Sequence, residues 1–267
     1  MNYLRNMEWR TRLAAYVRYR LRAEGPHDIH SPFIFEFLND VILDKTPFYA
    51  FEPLESLRSK LSLDRRELLI TDLGSGSKKE PEKRRKVCDI TRGNLLPGPY
   101  ARILFRAVNR FRPRHLLELG TSLGITTLHL AMPDASSLVY TLEGCPQTAA
   151  VAQEQFDRLK ADNIRLVTGD FATTLHEVLL TLKRVDFAFI DGNHRMKPTL
   201  DYFEQLLACC HEDTVLVFDD IHWSREMENS WKAIRSHPRV TITADLYRMG
   251  FVFFRTGVEK QHFTLKS

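Results

Sequence analysis

The residues most suited to chemistry gather in the C-terminal half of this chain. Val185-Asp-Phe-Ala-Phe-Ile190 is an apolar run ending in Asp191-Gly-Asn-His194, and Val215-Leu-Val-Phe218 ends in Asp219-Asp220-Ile-His222-Trp223. If the two runs are neighbouring strands, Asp191, Asp219 and Asp220 meet at one edge of a sheet. Crowded carboxylates repel and raise one another's pKa values unless a cation binds. Their hard oxygens suit Mg²⁺, with waters or substrate oxygens completing an octahedron. His194 follows Asp191 by three positions, and imidazole is the side chain that takes a proton near neutral pH. A metal-free reading also stands, with Asp191 beside a bound ligand and Asp219 capping the helix that begins near Trp223.

A second set of residues could hold a ligand by its backbone. The stretch from His115 to Leu130 reads as a buried strand (Leu116 to Leu119), a turn containing Gly120 and Gly124, and then a helix. Glycines let backbone approach a ligand closely, and the first amides of a helix point outward without partners. Glu118 would lie at the carboxyl end of the strand, where open α/β sheets bind small molecules. The turn is not the dinucleotide fingerprint, because Ser122 stands where Gly-x-Gly-x-x-Gly needs its middle glycine. Two further acids end the next strands. Glu143 follows Leu138-Val-Tyr-Thr-Leu142, about 20 residues after the turn, where a carboxylate can accept both ribose hydroxyls. Asp170 follows Ile164 to Thr168 and precedes Phe171. A strand-end solvated acid at Glu143 and a plain helix cap at Asp170 are the alternatives.

An acid two residues ahead of Gly-x-x-x-Gly resembles the first motif of class I S-adenosylmethionine (SAM) dependent methyltransferases. The resemblance implies that Glu118, Gly120, Thr121, Ser122, Gly124, Glu143, Gly144 and Asp191 line a SAM site. It further implies that Asp170 contacts the adenine amino group while Phe171 packs on the ring. The acids after the later strands narrow the likeness to the cation-dependent O-methyltransferases of the catechol and caffeoyl-CoA type. Those carry an Asp after the fourth strand, matched by Asp191, and an Asp-Asn pair after the fifth, matched by Asp219. Asp220 stands where Asn is usual, and His194 stands where that family has a basic Lys. Asp-Gly-x-His followed by Asp-Asp also resembles sugar and macrolide O-methyltransferases. The resemblance implies O-methylation of a small-molecule hydroxyl, with Mg²⁺ on Asp191, Asp219 and Asp220, and with Asp191 and His194 as catalytic residues. It covers roughly residues 100–255. An RNA methyltransferase and a non-catalytic SAM-binding module are the competing expectations.

Such a site needs elements that bring strand ends together. From Leu116 onward strands and helices alternate, the pattern of a parallel sheet with helices on both faces. Strands are expected near 116–119, 138–142, 164–168, 185–190 and 214–219, with helices near 124–132, 146–160, 171–182, 197–210 and 224–236. Val240 to Ala244 and Phe251 to Arg255 read as two strands with no helix between them. The expected fold is therefore α/β: a Rossmann-like, seven-stranded, mostly parallel sheet with a C-terminal antiparallel hairpin, plus an N-terminal helical extension. Residues 1–97 are expected to form that extension and residues 98–267 the SAM-binding domain. Within the extension, Ser31-Pro32 opens a helix through about Val41 and a second covers Leu54 to Leu61; after it, a further helix from about Tyr100 to Phe111 leads into the sheet. Leu68-Leu-Ile-Thr-Asp-Leu-Gly-Ser-Gly-Ser77 imitates a ligand turn. The Lys78-Lys-Glu-Pro-Glu-Lys-Arg-Arg-Lys86 run after it has no apolar face and reads as a mobile basic loop.

Composition sets the remaining bounds. With 43% hydrophobic and 27% charged residues over 267 positions, the chain suits a globular α/β domain with an extension. A net charge of +4 is too small to demand nucleic acid, which is not expected as a partner. Cys88, Cys145, Cys209 and Cys210 contain no Cys-x-x-Cys spacing, so a reduced, cytoplasmic protein is expected. No apolar run suits a signal peptide or a membrane span. Leu4, Met7, Leu13, Val17 and Leu21 recur at helical spacing in an Arg-rich segment. That helix is expected to pack on the body or on a partner subunit, which leaves a homodimer open.

Overall fold

The computed structural model describes residues 13–71 and 83–267. Helix α1 runs through residues 13–22, and α2 (Pro32–Phe37) continues into one π-helical turn, Leu38–Ile42. Helix α3 (Phe51–Leu61) precedes a two-stranded pair, β1 (Glu67–Ile70) and β2 (Lys83–Lys86). Helices α4 (Val87–Gly93) and α5 (Gly98–Phe111) follow. Strand and helix then alternate through β3 (His115–Leu119), α6 (Ile125–Ala131), β4 (Leu138–Glu143), α7 (Pro146–Leu159), β5 (Ile164–Thr168) and α8 (Phe171–Leu182). The alternation continues through β6 (Phe187–Ile190), α9 (Met196–Leu207), β7 (Val215–Phe218) and α10 (Arg225–Ser236). Three strands close the chain: β8 (Ile242–Asp245), β9 (Gly250–Phe253) and β10 (Gln261–Thr264). The described residues form two compact units, residues 44–183 and residues 13–43 with 184–267.

In the unit of residues 44–183, β3, β4 and β5 are parallel neighbours in that order. Leu116, Leu117 and Leu119 are wholly buried, as a strand covered on both faces requires. Helix α5 buries Ala101, Leu104, Phe105 and Val108, an i, i+3, i+4, i+7 face. Helix α6 is buried on every side. At its N-cap, Gly124 has φ +82°, and a Cβ there would meet Phe156 of α7 at 2.7 Å. Close helix packing and a left-handed turn therefore both call for a glycine here. The expected basic loop is in part a strand: β2 pairs antiparallel with β1, from Glu67 opposite Lys86 to Ile70 opposite Lys83. A backbone ladder needs no apolar face when its side chains stay in water, and Arg84 lies 3.8 Å from Glu67. The rest of that loop and the end of the imitation turn lie outside the described residues.

In the other unit the strand order is β10-β8-β9-β7-β6. Strands β6 and β7 are parallel, β9 is antiparallel to both β7 and β8, and β10 lies parallel to β8. The C-terminal hairpin is thus present. Strands β3 to β5 with β6 to β10 number eight where seven were expected, and β10 is the addition. Its short Gln-His-Phe-Thr run carries little apolar pattern, because its burial is only partial. Phe37 of α2 packs edge-on to Phe251 and Phe253 at 4.9 and 5.5 Å. Trp231 of α10 covers Gly250, where a Cβ would come within 2.5 Å of the indole. Helix α1 buries Ala15 and Tyr19, and the Tyr19 hydroxyl donates to the Leu265 carbonyl at 2.6 Å. Leu13, Val17 and Leu21 of the expected packing row are exposed on this chain, and Leu4 and Met7 lie outside the described residues. Among the described residues no helix is long and apolar enough to cross a membrane.

Candidate functional site

The strand register of residues 44–183 decides which loops meet. Leu119 pairs with Leu142 and Glu143 with Thr168, so β3, β4 and β5 end level. Gly120, Glu143-Gly144 and Gly169-Asp170 therefore share one carboxyl edge. The turn after β3 alternates through left-handed conformations, with φ of 102° at Gly120, 49° at Ser122 and 82° at Gly124. The amides of Gly120 and Thr121 both donate to the Leu142 carbonyl, at 2.9 and 3.2 Å. Ser122, a strained non-glycine in this geometry, donates its amide to Glu143 Oε2 at 2.8 Å. The Cys145 amide donates to Oε1 at 2.9 Å. Glu143 thus ties the turn to the end of β4. Burial raises the pKa of its carboxyl, against the amides of Cys145, Ser122 and Gly144, which pull it down.

Beneath the turn lies a closed polar cluster. Glu118 is wholly buried. Its Oε2 accepts hydrogen bonds from Thr127 at 2.5 Å and Thr141 at 2.6 Å. The Thr141 and Thr121 hydroxyls bond each other at 2.6 Å. Glu118 Oε1 is buried with no hydrogen-bond partner. Burial pushes this carboxyl up to about 8, although both threonines favour the ionised form. Glu118 and Thr121 are thus placed under the turn, as parts of its support. Asp170 is exposed, and its carboxylate accepts the Ala172 amide at 3.0 Å, capping α8. Phe171, the first residue of α8, is half-buried.

These residues fit SAM. An ionised carboxylate offers about four acceptor positions, and the amides of Ser122, Cys145 and Gly144 leave Glu143 capacity for a ribose hydroxyl. Gly120, Ser122 and Gly144 are half-buried beside it, and the exposed Asp170 with Phe171 follows at the end of β5.

In the unit of residues 13–43 and 184–267, Ile190 pairs with Phe218, and the Asp219 amide donates to the Ile190 carbonyl at 3.0 Å. Asp191 and the Asp219-Asp220 pair therefore adjoin. Strand β9 runs back along β7, with Gly250 opposite Phe218. The hairpin tip accordingly lies beside the end of β7, and the Ile221 amide donates to the Arg248 carbonyl at 3.1 Å. Arg248 donates to wholly buried Asp219, from Nε to Oδ1 at 3.2 Å and from Nη2 to Oδ2 at 3.0 Å. The same Nη2 lies 3.5 Å from Asp220 Oδ1. His194 Nε2 lies 3.5 Å from Asp191 Oδ1 and 3.9 Å from Asp220 Oδ2. Burial and the charge of Asp220 raise the pKa of Asp219, against the pull of Arg248. Arg248 is itself raised: burial works against its charge, and Asp219 and Asp220 outweigh that.

The expected metal set of Asp191, Asp219 and Asp220 does not fit a divalent cation in this arrangement. Each oxygen of wholly buried Asp219 accepts a hydrogen bond from a guanidinium that reaches Asp220 as well, so a cation already stands where an ion would have to sit. Among the described residues no group of three or more His, Cys, Asp or Glu side chains is arranged to hold a metal ion. The sequence reading overlooked Arg248. Its signal was a lone cation at the tip of a hairpin whose second strand had to start where β7 ends. His222 Nε2 lies 2.8 Å from Asp245 Oδ2 and its ring stacks on Tyr247, while Trp223 is exposed.

Residues 117–221 match the family described as "Methyltransferase domain". An O-methyltransferase from Bacillus cereus, solved in complex with SAH, aligns at 17% identity with a TM-score of 0.54, over 83% of this chain and 97% of that one. The O-methyltransferase TomG from Streptomyces achromogenes, involved in tomaymycin synthesis and solved in complex with SAM, aligns at 15% identity and a TM-score of 0.53, over 82% and 94%. An SAH-bound methyltransferase from Podospora anserina aligns at 16% identity and 0.54, over 79% and 99%. At these identities the likeness is one of fold. No protein of curated function matches the chain by sequence.

Proposed function

We propose that this chain is a class I SAM-dependent methyltransferase that methylates a hydroxyl of a small-molecule acceptor, a reading supported by the methyltransferase-domain match over residues 117–221. The observation that carries this reading is Glu143, half-buried at the end of β4 and bonded to the left-handed turn after β3. In this proposal Gly120, Ser122, Glu143 and Gly144 hold the ribose and amino-acid part of SAM, and Asp170 with Phe171 the adenine. When bound, SAM supplies an electrophilic methyl group on a sulfonium. Glu118 and Thr121 keep the turn in shape from below.

A hydroxyl must lose its proton to become a good nucleophile, and a positioned imidazole is suited to take it. We assign that role to His194, with Asp191 and Asp220 orienting the ring from 3.5 and 3.9 Å. No step passes through a divalent cation, because the donor set does not fit one. The four cysteines, with no Cys-x-x-Cys spacing among them, support placement in the reducing cytoplasm.

The test is product chemistry. The protein is incubated with SAM and a panel of hydroxylated, amino and RNA acceptors, and the position of the new methyl is read by mass spectrometry and NMR. A methyl ether supports the proposal, and a methyl on nitrogen, on carbon or in RNA contradicts it.

A further inference from the structure

Three acids at two adjacent strand ends would ordinarily call for an external cation. Here the chain carries its own. Arg248 addresses Asp219 with two parallel N–H donors, the fork geometry that matches a planar carboxylate. Its Nη2 is shared with Asp220 at 3.5 Å. The hairpin tip is fixed by backbone hydrogen bonds, from Leu246 to Met249 at 2.9 Å and from Ile221 to Arg248 at 3.1 Å. Tyr247 takes φ 68°, the left-handed step that turns the chain just before Arg248. A Mg²⁺ ion would need carboxylate oxygens at about 2.0–2.1 Å with near-octahedral freedom. Asp219 has no exposed surface, and the guanidinium occupies the side from which an ion would approach both of its oxygens.

We propose that the Arg248 guanidinium takes the place of a divalent cation at Asp191, Asp219 and Asp220, so that this protein works without a metal. Arg248 is a positioning residue: it anchors on Asp219 and holds Asp220 beside His194. Removing the guanidinium converts the cluster into a site for a divalent ion, since Asp219 and Asp220 then lose the cation that bridges them.

The decisive readout is Mn²⁺ binding, followed by electron paramagnetic resonance on the full chain after treatment with a chelator. The wild-type protein should leave the free-ion signal unchanged. Arg248→Gln should remove signal equivalent to a single bound ion per chain, and the double variant Arg248→Gln with Asp219→Asn should restore it. Binding of Mn²⁺ by the wild type that disappears in Asp219→Asn overturns the proposal, and so does a folded Arg248→Gln protein that binds no ion. If Arg248→Gln does not fold, the wild-type titration still decides. The proposal rests on the methyltransferase reading only for its activity arm, in which turnover should be unchanged by EDTA. If that reading fails there is no turnover to measure, while the Mn²⁺ result stands.

Discussion

Arg248 and Asp219 are 29 residues apart in the chain and joined by two hydrogen bonds, at 3.2 and 3.0 Å. The antiparallel course of β9 along β7 makes this possible, since it returns the chain to the point where β7 ended. A parallel neighbour would have brought its opposite end there. The hairpin therefore does more than close a sheet edge: it delivers a charge to the acids that end the strand beside it.

Gly124 is required by packing. Replacing it with Ala places a Cβ 2.7 Å from Phe156 and forces a side chain into φ +82°. The expected loss is roughly 2–5 kcal/mol of stability, read by urea denaturation. Phe156→Leu in the same chain should return part of it. Unchanged stability in Gly124→Ala would refute the packing argument.

Glu118 links stability to pH. Its carboxyl is raised from the ordinary 4.5 to about 8 in the fold, chiefly by burial. Between those values the folded protein keeps a proton that the unfolded chain releases, so stability falls as pH rises through that window. Glu118→Gln has no proton to lose and should flatten this dependence, gaining relative to the wild type toward the upper end of the window. Thermal melts across the window check it, and parallel curves for the two proteins would contradict it.

Asp170 has two separable duties. Its side chain caps α8 through the Ala172 amide, a bond that Asn can also accept. Asp170→Ala should cost about 1 kcal/mol of stability and weaken SAM binding. Asp170→Asn should keep the stability and still weaken binding. Equal SAM affinity in all three proteins would leave Asp170 as a cap alone.

His194 is assigned to proton removal. His194→Gln should lower turnover by about 10²–10⁴-fold while calorimetric SAM affinity stays within error. A parallel loss of SAM binding would place His194 in the donor site instead.

Much of this was readable in the chain itself. The apolar run ending in Leu119, the spacing of Gly120 and Gly124, and the acids at Glu143 and Asp170 pointed to strand ends in one register, because buried parallel strands leave continuous apolar runs. The roles within that edge were less legible. Nothing local shows that Glu118 and Thr121 face inward on Thr127 and Thr141, since that depends on how α6 sits over β3 and β4. Arg248 was hidden for the same reason, its partner being set by strand order. Strand β2 escaped notice because Lys83-Arg-Arg-Lys86 offers no alternation, and its pairing with β1 lies in the backbone alone.

The account depends most on Glu143 as the residue that holds the methyl donor. Isothermal titration calorimetry of SAM into the wild type and Glu143→Ala tests it directly. Loss of charge-assisted hydrogen bonds predicts saturable binding by the wild type and an affinity about 10–100-fold weaker in the variant. Equal affinities in the two proteins, or no binding by either, would contradict it.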